Sequence, residues 1–201
     1  NYLTPRIIGE DPFEIEVIHD RMEKAIAGNL YAKAAIDMAL HDIQGRCLKI
    51  PLYKLLGGCY RNEIQLKYNV PAVAPEKAAE IAAQAVKQGY GAVKLKVGVD
   101  LLRELKTVQA VRESVGDKIL IGIDANGGWS PKLAISSIRK MEPFNLSFVE
   151  QPVPKWDIDG LVEVKRSVET PIMADESVYT ASDAVTLVKK NAVDMFSIYI
   201  C

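Results

Sequence analysis

From Ile64 onward, short apolar runs alternate with longer stretches whose apolar residues recur at helical spacing. The runs are "EIQLKYNV", "AVKLKV", "KILIGIDA", "LSFVEQ", "PIMADES" and "VDMFSIYI". Between them lie "PEKAAEIAAQAVKQG", "DLLRELKTVQAVRESVG", "SPKLAISSIRKME", "DIDGLVEVKRSV" and "TASDAVTLVKKN". Short apolar runs bounded by turn formers predict strands, and the 3.6-residue period predicts helices. Ser130 ahead of Pro131 marks a helix start, and Gly89 and Gly116 mark helix stops. Strand alternating with helix predicts parallel β/α units, and a repeat of roughly 25 residues suits a (β/α)8 barrel of the TIM type. A doubly wound sheet is the competing arrangement, but no G-x-G-x-x-G follows the first strand to favour it. Six strands and five helices can be counted in this region, which places two further barrel strands beyond Cys201.

The first third reads differently. "EDPFEIEVIHDRMEKAI" is expected to form one helix, with Asp11 as cap and Pro12 in its first turn. "NLYAKAAIDMALHDIQGR" predicts a second, with Asn29 as cap, Gly45 as stop and Ala35, Met38, Ala39 and Asp42 at helical spacing. "IPLYKLLGG" predicts a short helix closed by glycines. The expected organisation is therefore a helical segment over residues 1–62 and an incomplete α/β barrel over 63–201. The start at Asn1 and the stop inside the apolar run "MFSIYIC" suggest a piece of a longer protein.

Composition narrows the chemistry. With 49% hydrophobic and 25% charged residues, the 201-residue chain can bury a sizeable core. Its 25 basic and 26 acidic residues give a net charge of -1, which predicts neither nucleic acid nor a membrane surface as partner. The apolar segments are too short and interrupted for a membrane span. Cys47, Cys59 and Cys201 are odd in number and lack ligand-like spacing, which points to a cytoplasmic protein without a disulfide framework. His19 and His41 both fall in the helical first part, leaving little for a Ser-His-Asp or Cys-His mechanism to draw on.

The polar residues of the β/α region fall on the repeat in register. "VKLKVG" puts Lys94 and Lys96 two apart on a strand that should be buried. Asp124 ends the third strand, Glu150 the fourth and Asp175 the fifth. In such barrels the active site lies at the C-terminal strand ends, so these side chains should converge on one mouth. A lone Asp at a strand end is commonly a turn former or helix cap. Three acids at successive strand ends beside a paired-lysine strand favour a site. Three carboxylates without Cys or His suit a hard cation, Mg²⁺ or Mn²⁺, and not zinc. Such an ion can hold a substrate carboxylate and stabilise the charge left when the adjacent carbon loses its proton. Residues two apart on a strand share a face, so both ammonium groups should point into the mouth. Each should disfavour the other's charge and make one of them a general base near neutral pH. The competing reading is a lysine pair that only neutralises the acids.

"VKLKVG", "DANGGWS", "EQPV" and "MADES", in this order, resemble the enolase superfamily, and its muconate lactonizing enzyme and mandelate racemase branch most closely. "AAIDMALHDIQGRCLKIPLYKLLGG" is similar to the helical stretch that leaves the capping domain of that branch, which makes residues 1–62 the C-terminal helical part of an α+β capping domain. The resemblance implies Asp124, Glu150 and Asp175 as ligands of Mg²⁺. It implies Lys96 as the base that removes the proton α to a carboxylate, giving an enediolate, with Lys94 as its partner. Asn126, Gln151 and Glu176 would support the metal site, and Gly127 and Gly128 would serve through their backbone.

The chain departs from the family pattern at Tyr199, which stands where epimerases and muconate lactonizing enzymes carry a further lysine. Tyr199 is expected to face the barrel opposite the K-x-K strand, as a proton donor for the second face or as packing; otherwise the second acid/base is expected from strands after Cys201, or the reaction uses one base. His41 stands where a Trp is common and reads as a partly buried helix histidine. The resemblance implies a racemase, epimerase or cycloisomerase acting on a small-molecule carboxylate, in a homo-oligomer. A sugar-acid dehydratase (a lyase) and a non-catalytic metal- and acid-binding barrel are the alternatives.

Overall fold

The computed structural model describes residues 2–199. By their contacts these divide into two compact units, one of residues 2–64 with residue 199, the other of Gln65–Ile198.

The first unit is helical: α1 (Thr4–Ile7), α2 (Ile15–Ala25), α3 (Leu30–Leu48) and α4 (Leu52–Leu55). Ile18, Met22 and Leu40 form its small core, with Leu3, Ile7, Ile15 and Ile36 packed on it. Asp11 does not start α2. Its carboxylate accepts the Phe13 N–H at 2.9 Å and closes a local turn, which competes with helix and delays α2 to Ile15. The α3 helix begins after Asn29, as expected, but runs through Gly45 to Leu48. A Cβ at Gly45 would stand 3.2 Å from the Ile50 carbonyl oxygen, so this glycine makes room for the chain as it turns back. His41 stays within α3, one ring nitrogen 3.0 Å from the Asp37 carbonyl. Cys47 and Cys59 are exposed and free; Cys201 lies outside the described residues.

The second unit is a parallel β/α array. Its strands are β1 (Lys67–Val70), β2 (Ala92–Lys96), β3 (Leu120–Asp124), β4 (Leu146–Glu150), β5 (Ile172–Ala174) and β6 (Met195–Phe196). Between them run α5 (Pro75–Lys87), α6 (Leu101–Val115), α7 (Pro131–Met141), α8 (Ile158–Ser167) and α9 (Ala181–Lys190). Among the described residues the strands pair in sequence order, all parallel. The caps explain the helix starts: Asp100 accepts from Leu102 and Arg103, Ser130 from Leu133 and Asp157 from Gly160, and Thr180 with Asp183 forms a capping box. Alternate strand residues Val93, Leu95, Ile121, Ile123 and Val149 are buried against the helices. The intervening positions Lys94, Lys96, Gly122, Asp124, Phe148 and Glu150 share the opposite face.

That opposite face is concave. Lys67 and Glu150 lie three strands apart and four register positions along, about 14 Å and about 13 Å on a flat sheet. Their charged atoms are nonetheless 3.4 Å apart, so the sheet curls as barrel strands do. Gly122 permits the curl locally, because a Cβ there would sit 2.1 Å from the Phe148 ring.

Within the second unit, Arg112 ties α6 to the chain segments that lead into β3 and β4. Its guanidinium donates to the carbonyl oxygens of Phe144 (2.9 Å), Gly116 (2.6 Å), Ile119 (2.8 Å) and Asn145 (3.0 Å), and the residue is 8% exposed. Arg112→Met keeps much of the stem but orphans those carbonyls. We expect a loss on the order of 3 kcal/mol, read by urea denaturation of the full-length protein. An unchanged midpoint would show that these carbonyls find other partners.

Candidate active site

The C-terminal ends of β2, β3 and β4 stand in register, Lys96 beside Asp124 and Asp124 beside Glu150. Lys94 lies one inward-facing position below Lys96, and its ammonium donates to Asp124 Oδ2 at 3.0 Å and to Glu150 Oε1 at 2.7 Å. Lys96 donates to the same Asp124 oxygen at 2.7 Å and to Asn126 Oδ1 at 2.7 Å. Lys94 and both acids are nearly sealed from solvent, whereas the Lys96 side chain is 41% exposed. Lys96 is thus the lysine that can meet a ligand.

The loops above are held by backbone contacts and two amides. Gly98 (φ +111) and Gly128 pack so closely on Ala125 that a Cβ at Gly98 would lie 2.6 Å from the Ala125 oxygen. Asn126 adopts φ +44 and links three members: its N–H meets Asp124 Oδ1 at 3.0 Å, its Oδ1 accepts from Lys96, and its Nδ2 donates to Glu176 Oε1 at 2.9 Å. Gln151 is wholly buried with φ +38. Its Oε1 accepts the N–H groups of Asp175 (3.0 Å) and Ser177 (3.1 Å), and its Nε2 donates to Val153 O and Ser177 Oγ. Gln151 therefore brackets the loop after β5 against the end of β4 and sets Asp175 near Glu150. Ser177 is the partner that completes this bracket; sequence pattern alone did not mark it.

Electrostatics corrects one sequence expectation. Burial alone would lower the Lys94 pKa, but hydrogen bonds and charge from Glu150 and Asp124 outweigh it and hold the ammonium above its ordinary value. Lys94 sits on two carboxylates, so it is a fixed positive charge and not a group tuned toward neutrality. Burial would likewise raise Asp124, yet hydrogen bonds from Lys96, Lys94 and the Asn126 N–H keep it below the usual carboxylate range. Asp175 goes the other way. Burial, then the charges of Glu176, Glu150 and Asp124, push it up to about 6. Carboxylates that crowd one another in this way are what a divalent cation relieves.

The donor set fits Mg²⁺: hard oxygens, mostly buried, with mutual repulsion. As placed, no group of three Asp, Glu, His or Cys side chains among the described residues is arranged to hold a metal ion. Lys94 bridges Asp124 and Glu150. A further lysine joins them. Lys67 on β1 reaches Glu150 Oε2 at 3.4 Å and lies 5.2 Å above the Phe148 ring. Lys67 carries the same signal as the K-x-K pair, a lysine inside an apolar strand run, but it lacks a second lysine to draw the eye. Tyr199 lies beyond β6, is 64% exposed, and falls outside the compact unit that carries the cluster.

Parallel β/α units with lysines and carboxylates gathered at the C-terminal strand ends define a barrel protein with its polar site at the mouth. Residues 77–201 match the enolase C-terminal domain-like family, and residues 1–57 match the mandelate racemase/muconate lactonizing enzyme N-terminal domain. The chain belongs to the mandelate racemase/muconate lactonizing enzyme branch of the enolase superfamily. It is similar to a hydrophobic dipeptide epimerase of Enterococcus faecalis, at 43% identity over 96% of this chain and 54% of that protein. The structure of a dipeptide epimerase from that organism, complexed with Mg and the dipeptide L-Leu-L-Tyr, matches with a TM-score of 0.94 at 41% identity. That match covers 98% of this chain and 56% of the other. The 2-chloromuconate cycloisomerase of Rhodococcus opacus matches with a TM-score of 0.95 at 35% identity, over 100% of this chain and 56% of the other. The chain thus spans about half the length of the curated relatives it matches. Among the described residues no helix is long and apolar enough to cross a membrane.

Proposed function

We propose that the protein carrying this chain is an isomerase that removes the proton α to the carboxylate of a small molecule. A racemase or epimerase reading is favoured by the several dipeptide epimerases among its relatives. The observation that carries the proposal is the geometry of β2. Its two lysines share one face, Lys94 buried on Asp124 and Glu150, Lys96 open to solvent beside them.

Each residue has a distinct task. Asp124, Glu150 and Asp175 would hold Mg²⁺, which when bound supplies a Lewis acid for the substrate carboxylate. Lys94 holds a permanent positive charge beneath the acids and steadies the negative charge that develops on the substrate. Lys96, once it has given up a proton and is a neutral amine, accepts the α-proton at Nζ and becomes the ammonium, steered by Asn126. Epimerisation needs a proton carrier on each face of the planar intermediate, and Lys96 serves one of them. Sequence position after β6 nominates Tyr199 for the other, as a donor, because an ordinary phenol titrates near pH 10. Gln151 and Glu176 act through position, Gln151 by fixing Asp175 and Glu176 by holding Asn126.

The test is deuterium uptake. The full-length protein, incubated in D₂O with dipeptides and other carboxylates, should place deuterium at the α-carbon with Mg²⁺ and not with excess chelator. Exchange that survives the chelator would contradict the metal assignment. Binding without exchange across the panel would make the barrel a binding module.

A further inference from the structure

Glu150 has an ammonium on each of its two oxygens. Lys94 holds Oε1 at 2.7 Å and is buried, with its second bond to Asp124. Lys67 holds Oε2 at 3.4 Å, its side chain is 36% exposed, and it comes from β1, three strands away. These two partners differ in how readily they can be displaced. A short, buried, doubly bonded ammonium is costly to displace, whereas a longer and partly solvated one is not.

We propose that Lys67 is the ion a divalent cation must displace from Glu150, and that it thereby sets the affinity of the metal site. The inference rests on the metal reading above. For Glu150 to become a ligand, one of its oxygens must open toward the cation, and Oε2 is the one held loosely. One group keeps Lys67 close once displaced. The Phe148 ring lies 5.2 Å below its ammonium, and that ring is fixed by its seat on Gly122. The displaced ammonium then stands near the cation and repels it. Counting charges gives the same result. Lys67, Lys94 and Lys96 face Asp124, Glu150, Asp175 and Glu176, so the cluster is net -1 with Lys67 and -2 without it. A divalent ion is therefore drawn more weakly than the carboxylates alone would draw it.

The experiment is calorimetric titration of the full-length protein with Mg²⁺, alongside Lys67→Met and Lys67→Arg. Lys67→Met keeps the stem and removes the charge, so Mg²⁺ should bind about tenfold or more tightly. Lys67→Arg can pair both oxygens of Glu150 and should bind Mg²⁺ more weakly than wild type. Urea denaturation supplies a readout independent of turnover: added Mg²⁺ should stabilise the Met variant more than wild type. If wild type binds Mg²⁺ and a folded Lys67→Met binds it no more tightly, the role of Lys67 is refuted while the metal site stands. If only the Met variant binds, the displacement account is supported in its strongest form. If neither folded protein binds Mg²⁺, the metal reading fails and the Lys67 inference fails with it.

Discussion

Lys96→Ala in the full-length protein should lower α-proton exchange by about a thousandfold while leaving the fold intact. The Lys96 side chain is 41% exposed, so its removal opens no deep cavity, and Asp124 keeps its bond from Lys94. Mg²⁺ should bind no more weakly than in wild type, because the variant removes an ammonium from an Asp124 oxygen. Loss of kcat and kcat/KM together would mark a group acting in the transition state. Lys94→Ala should look different. It strips the positive charge from between two nearly sealed carboxylates, and breaking a buried pair of this kind costs on the order of 3 kcal/mol. Thermal denaturation of the two variants separates them. A stable Lys94→Ala with lost exchange, beside a destabilised Lys96→Ala that still exchanges, would reverse the roles.

The second large effect is expected at Glu150. Glu150→Gln preserves size and one acceptor oxygen but removes the charge that Lys94 and Lys67 both meet. Mg²⁺ affinity should fall by about a hundredfold, with exchange lost at Mg²⁺ levels that saturate wild type. The folded state should survive, since the amide can still accept from Lys94. Calorimetry with Mg²⁺ and circular dichroism of the same sample read both outcomes. Unchanged metal affinity would remove Glu150 from the site.

The β/α alternation was legible because the strand residues that meet the helices, such as Leu95 and Ile123, are apolar. The cap at Ser130 was legible for a local reason, since a short polar side chain bonds its own helix; those at Asp100 and Thr180 follow the same rule and were not marked. The start of α2 was not, because Asp11 has two uses and the local turn wins. The candidate site was legible in its acids and its K-x-K pair, which strand periodicity places on one face. What sequence order cannot display is contact across the concave face. Lys67 and Glu150 are 83 residues apart and meet only because the sheet curls. The same holds for Lys94, whose charge was expected to be weakened by Lys96. Its partners in space are Asp124 and Glu150, and they hold it protonated. Gln151 was marked by motif, while its bracket on Asp175 and Ser177 emerges only from the fold.

The measurement that bears most directly on this account is a crystal structure of the full-length protein with Mn²⁺ and a bound carboxylate substrate, using the metal's anomalous signal. One peak is expected within about 2.5 Å of oxygens from Asp124, Glu150 and Asp175. The substrate α-carbon should lie within about 3.5 Å of Lys96 Nζ. A metal peak away from these carboxylates, or an α-carbon out of reach of Lys96, would contradict this account.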